Sequence, residues 1–201
     1  MHRPVTTRSI RPAHLLIALC LAGCSTTIVD LPYVPASSIA ASQNPIVDMG
    51  SVTDRRKNET RSLGAIRNGY GGALKSLETA VPVADVIKAA FENGLKARGL
   101  AAPPGKGKYR LDVTVLKFDC SQYVRREAHA QFETNLIAVS TEKIEYTHVV
   151  VDKQVQGSLI TFDTAIFASV EDLRKVANEL LQRAVDEALD DPGLRAHLLA
   201  H

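Results

Sequence analysis

Residues 109–120 read YRLDVTVLKFDC, residues 128–138 AHAQFETNLIA and residues 143–156 KIEYTHVVVDKQVQ. In the first, Tyr109, Leu111, Val113 and Val115 alternate with Arg110, Asp112 and Thr114. In the second, Ala128, Ala130, Phe132, Thr134, Leu136 and Ala138 alternate with His129, Gln131, Glu133 and Asn135. A period of two describes strands with one covered face and one wet face. The third run carries Ile144, Val149, Val150 and Val151, and Thr141-Glu142 is the expected hairpin tip before it. Three such runs in succession predict an antiparallel meander, with Glu127, His129, Gln131, Glu133 and Asn135 on its open face.

Two helical patterns flank the meander. Pro82 opens the first, which runs to about Arg98 with Val83, Val86, Ile87, Ala90, Phe91 and Leu95 on one face. Asp85 in its first turn, Lys96 and Arg98 in its last and the following Gly99 agree with the helix dipole and a stop. Ser169, with Asp172 three residues on, caps the second. Its stripe of Leu173, Val176, Ala177, Leu180, Leu181, Ala184 and Ala188 ends at Asp190-Asp191-Pro192-Gly193. Upstream, IVDMGSVT at 46–53 reads as a buried strand, and TTIVDLPYV at 26–34 contributes part of an edge strand. The expected fold is α+β, a mostly antiparallel sheet with two helices packed on one face.

The N-terminus carries an address. Arg3, Arg8 and Arg11 precede the apolar run LLIALCLAGC at 15–24, and no acidic residue occurs in the first 23. That is the layout of a secretory signal, and the apolar run is far short of the ~20 residues a membrane span needs. Leu21-Ala22-Gly23-Cys24 resembles a bacterial lipobox. The resemblance implies cleavage after Gly23, acylation of Cys24 and membrane attachment through that lipid. Ser25 stands where such families carry an inner-membrane retention aspartate, which implies the outer membrane, periplasmic face. The expected organisation is a signal peptide at 1–23, a lipidated N-terminus and Ser/Ala/Pro-rich tether at 24–45, and one α+β domain at 46–201.

Composition narrows the function. The chain has 24 basic and 22 acidic residues, and losing three arginines with the signal leaves the acidic ones one ahead. A near-neutral mature chain without Trp gives no basis for nucleic-acid binding. Of three cysteines, Cys20 leaves with the signal, Cys24 takes the lipid and Cys120 remains alone, expected as a small buried hydrophobe.

LGAIRNGYGGAL at 63–74 spaces Gly64 and Gly69 like the start of a phosphate loop, but Tyr70 and Gly71 occupy the positions of the required Lys and Ser/Thr. Gly64, Ile66, Gly69, Tyr70, Gly71 and Gly72 are instead read as a candidate recognition loop, with Ile66 and Tyr70 able to bury area on a partner. With the turn at 141–142, His148 faces Asn135 and His129 faces Gln154, so the two histidines lie about 20 Å apart at ~3.3 Å per residue and make no metal pair. His197 and His201 have i, i+4 spacing but no third ligand. No metal, cofactor or catalytic residue is expected, and a Cys120-His129 dyad is the sole nucleophile arrangement open to the sequence.

The lipobox, the TIVDLPYVP segment, VTDRRKNET, LGAIRNGYGG, ADVIKAAFENGLKARG and ELLQRAVDEALDDPGLRAHL, in that order, resemble the YajG-type uncharacterised bacterial lipoproteins. The family supplies no catalytic residues. The resemblance implies a non-enzymatic binding or accessory module for another cell-envelope component, with protein as the expected partner at a sheet edge or the polar face. A lipid carrier or lipid-transport subunit is the alternative. It requires an apolar groove lined from Phe91, Leu95, Leu180 and Leu181.

Overall fold

The computed structural model describes residues 25–35, 45–156 and 169–199. The signal peptide, the lipobox, Cys24 and His201 lie outside the described residues. Seven strands form one mixed sheet: β1 (Ser25–Val29), β2 (Val47–Asp54), β3 (Ser62–Arg67), β4 (Ala73–Thr79), β5 (Tyr109–Gln122), β6 (Arg126–Ala138) and β7 (Lys143–Gln156). Among the described residues three helices join them: α1 (Val83–Ala97), α2 (Val170–Leu189) and α3 (Pro192–Leu199). The sheet order is β1-β4-β3-β5-β6-β7, with β2 also on β5.

The antiparallel β5-β6-β7 meander is the long part of the sheet, paired over almost the full length of its strands. Strict alternation along β5 would turn Lys117 and Asp119 inward. A bulge between Val115 and Lys117 restores the phase, so Phe118 and Cys120 join Tyr109, Leu111, Val113 and Val115 on the covered face. Ala128, Ala130, Phe132 and Leu136 of β6 lie beside them. The apolar stripes of α1 and α2 close over this face, and the Phe132 ring meets Phe91 edge-on at 6.2 Å and Phe118 at 6.0 Å. Ser169 caps α2 as expected, its hydroxyl accepting from the Asp172 backbone N–H at 3.3 Å. The helices cross closely at Gly94, where a Cβ would sit 2.5 Å from the Leu189 side chain.

One expectation near the N-terminus is met and three features depart from the sequence reading. The edge strand expected within 26–34 is β1, which starts at Ser25 and pairs parallel with β4; Val29 and Leu31 are buried and Tyr33 reaches the helices, so residues 25–35 pack on the fold. The glycine-rich stretch read as a recognition loop is a β3-β4 hairpin, with Gly64 and Ile66 inside β3. The β6-β7 register is one residue from the expected one, placing His148 opposite Thr134 and His129 opposite Lys153. Finally, Val149 and Val151 do not share the burial of Val150.

That burial difference follows from the pleat. Three consecutive valines cannot occupy one side of a strand, because adjacent side chains point to opposite faces. The register slip has the same geometric force. A shift of one residue exchanges the faces, so His148 turns toward α3 and lies 3.6 Å from Asp191, while His129 stays on the open face 3.1 Å from Asp119.

Candidate functional site

The six glycine-loop candidates divide between β3 and the turn that follows it. Gly64 is in β3 at φ +144°, and a Cβ there would stand 1.7 Å from the Cys120 carbonyl oxygen on β5. Only glycine allows this backbone approach, so Gly64 is a structural residue. Ile66, 2% exposed, belongs to the core and presents nothing to a partner. The turn proper runs from Asn68 to Gly72. The Asn68 side-chain oxygen accepts from the N–H groups of Tyr70 and Gly72 at 3.0 and 2.9 Å, and the Tyr123 hydroxyl donates to the Gly69 carbonyl at 2.6 Å. Gly69, Gly71 and Gly72 therefore form a braced turn that holds Tyr70 wholly exposed at its tip.

The open face is polar where β5 and β6 meet, and Lys153 of β7 ion-pairs Glu127 of β6 at 3.2 Å. Beside this polar field, Val149, Val151 and Val155 of β7 form an exposed β-branched stripe, with Val151 at 69% exposure. Among the described residues, β7 pairs with β6 alone. No described strand lies on its other edge, where alternate backbone donors and acceptors of the 14-residue strand point outward. The sequence signal for this stripe was present in Val149-Val150-Val151, once period two is applied to every member of the run.

The titratable groups do not converge. Cys120 lies beneath the helices, and the β5-β6 register places it opposite Ala128, on the face opposite to His129. The two residues make no dyad. Burial pushes the Cys120 thiol up to about 12, so it remains protonated. The native protein is expected to resist alkylation at Cys120 and to react on denaturation, and Cys120→Ala to cost on the order of 1 kcal/mol. Rapid labelling of folded protein in a thiol-trapping assay would contradict this. No group of three or more His, Cys, Asp or Glu among the described residues is arranged to hold a metal ion. His197 packs its ring 5.3 Å from Tyr146.

The groove required of a lipid carrier is filled. Phe91, Leu95, Leu180 and Leu181 are all within the buried core. Leu95 also borders a 420 Å³ recess between α1, β2 and the 101–105 loop, whose walls mix Asp48, Glu92, Lys96 and Arg110 with Val47, Met49 and Pro104.

Two arginines that read as ordinary polar residues are buried. Arg56, in the polar run after β2, forks onto Asp54 and donates to the carbonyls of Ser62 and Phe118 at 2.8 and 2.9 Å. Arg98, just past α1, binds Asp186 at 2.9 Å and Asp190 at 2.8 Å, and the Tyr33 hydroxyl donates to the same Asp186. Sequence spacing carries no signal for the bond from Arg56 to Phe118, 62 positions away, or for the Arg98 cluster, whose partners Tyr33, Asp186 and Asp190 lie 65 to 92 positions away.

A family model described as "Uncharacterized lipoprotein" matches residues 32–198. The chain belongs to that family. None of the curated proteins matches it significantly. Among solved structures, a Xanthomonas campestris protein of another uncharacterised family is similar at 12% identity, covering 88% of this chain and 99% of its own, with TM-score 0.63. A second uncharacterised protein matches at 11% identity over 84% of this chain and 99% of its own, with TM-score 0.52. At these identities the likeness is one of fold. The family description makes the chain an envelope lipoprotein, in agreement with the lipobox at Leu21–Cys24.

Proposed function

We propose that this lipoprotein is a non-enzymatic accessory module, held by the Cys24 lipid on the periplasmic face of the outer membrane, that binds another envelope protein along β7. The observation that carries the reading is the 14-residue edge of β7 with its exposed valine stripe. An incoming strand would gain main-chain hydrogen bonds from the edge and side-chain contacts from Val149, Val151 and Val155. Natural edge strands are commonly protected by charge, bulges or coverage, and the outward apolar side chains here offer a partner something to cover.

Val149→Lys with Val151→Lys tests it. Both positions are exposed on the open face, so stability should change by no more than about 0.5 kcal/mol, whereas crosslinked capture of the native partner in cells should fall at least tenfold. Capture at the parental level, with the variant folded and membrane-localised, would refute the β7 reading. Loss of capture from Tyr70→Ala but not from the β7 variant would move the partner site to the hairpin turn.

A further inference from the structure

The end of the sheet nearest Cys24 carries more than the lipid. β1 begins at Ser25, one residue after the acylation position, and Ser25 pairs with Lys75 of β4. Lys75 lies two residues after the start of β4 at Ala73, about 7 Å at ~3.4 Å per residue. The Asn68–Gly72 turn leads directly into Ala73. The β5-β6 turn is at the same end, since Ile66 pairs with Gln122 and the Tyr123 hydroxyl reaches the Gly69 carbonyl. β1 therefore starts one residue after Cys24, at the end of the sheet that carries both turns.

The exposed side chains there have a distinct chemistry. Tyr70 is 100% exposed, and Leu74, Tyr123 and Val124 are exposed beside it. Arg67 and Lys75 are exposed on the same hairpin, with the Arg67 guanidinium donating to the Gly71 carbonyl. Tyrosine with aliphatic neighbours suits the boundary between headgroups and acyl chains, and arginine and lysine suit lipid phosphates.

We propose that this end of the domain docks on the phospholipid bilayer, with Tyr70 at headgroup depth, so that the lipoprotein is held by a second contact and in a set orientation. The proposal rests on Cys24 being the lipid attachment site. The continuity of the patch with that attachment, through a strand that starts at the next residue, selects the bilayer over a protein as occupant. With the hairpin end down, β7 stands with its strand axis leading away from the membrane, which leaves its edge open to a partner.

The chain has no Trp, so a single introduced indole reports its own surroundings. The acylated full-length lipoprotein is prepared as Tyr70→Trp and, at the opposite end of the sheet, as Lys106→Trp. Each is reconstituted into phosphatidylethanolamine/phosphatidylglycerol vesicles with and without brominated acyl chains. Emission from the Tyr70→Trp protein should shift to the blue on vesicle binding and be quenched by the bromolipid. The Lys106→Trp protein should keep its aqueous emission and escape quenching. An unshifted, unquenched indole in Tyr70→Trp protein that floats with the vesicles would overturn the docking while leaving the anchor intact. An N-terminal peptide whose mass lacks acyl chains would overturn the anchor, and the docking with it. Equal quenching of the two variants would also overturn it, because the domain would then have no set orientation.

Discussion

Arg56→Leu is expected to lower the free energy of unfolding by about 3 to 5 kcal/mol, the range for removing one member of a buried charge pair. The reason lies in how β5 changes partners. β2 covers its first half as far as Asp54 opposite Val115, and β3 covers its end from Gly64 opposite Cys120. Between the two ladders the Val115 carbonyl accepts from the Arg55 N–H, and the Phe118 carbonyl accepts from the Arg56 guanidinium at 2.9 Å. The same guanidinium donates to the carbonyls of Ser62 and Thr60, at the start of β3. A side chain with 2% exposure thus replaces the missing rungs of the sheet.

Asp54 completes the arrangement. Burial pushes its carboxyl up, but the Arg56 hydrogen bonds outweigh that and hold it below the usual carboxylate range. Leucine would leave the carboxylate and the carbonyls without their shared donor. Arg56→Lys should recover only part of the loss, because an ammonium cannot reproduce the planar fork. Urea denaturation at pH 7 provides the measurement. A loss below about 1 kcal/mol for Arg56→Leu would show that the seam is held by the strands alone.

Arg98→Met should cost a similar amount, about 3 to 5 kcal/mol, and its cost should depend on pH. Arg98 joins Asp186 and Asp190 at the end of α2 to the end of α1, and the Tyr33 hydroxyl hydrogen-bonds into the same cluster. Hydrogen bonds from Arg98 hold the Asp190 carboxyl below its usual value, against the opposing effect of burial. A depressed carboxyl contributes stability above its unfolded pKa, near ~3.9, and that contribution is lost as pH falls through the folded value. The difference between parent and Arg98→Met should therefore be largest near neutral pH and shrink below about pH 4.

At the alkaline end, burial and the Asp186 hydrogen bond push the Tyr33 hydroxyl up to about 12. A raised phenol contributes fully below pH ~10 and its contribution disappears as pH rises through the folded value. Denaturation midpoints at about pH 3, 7 and 11 check both limbs. A pH-independent difference would mean that Arg98 acts by packing alone. Hydrogen exchange in residues 25–35 should also quicken in Arg98→Met, because Tyr33 loses one of its two partners.

Much of the architecture was legible because it rests on local periodicity. The meander, both main helices, the Ser169 cap and the burial of Cys120 follow from side-chain alternation, helical spacing and capping chemistry. The candidate site was legible only in part. Tyr70 is exposed as expected, but Ile66, four residues earlier, is core because β3 continues through it. The short strand β4 (ALKSLET) lacks clear alternation, which hid the hairpin and, with it, the place where β1 docks.

The sequence by itself determined where the apolar faces lie, the isolation of Cys120 and the lipobox-like run Leu21–Cys24, since each depends on residue type and near-neighbour spacing. The tertiary structure alone decided three matters. The one-residue register of β6 on β7 separated His129 from His148 onto opposite faces, the parallel addition of β1 set Ser25 opposite Lys75 on the hairpin that carries Tyr70, and the exchange of β2 for β3 along β5 turned Arg56 inward. The first is a hairpin register and the other two are contacts between segments remote in sequence; in each, pairing geometry and the need to satisfy buried polar groups outweigh local preference.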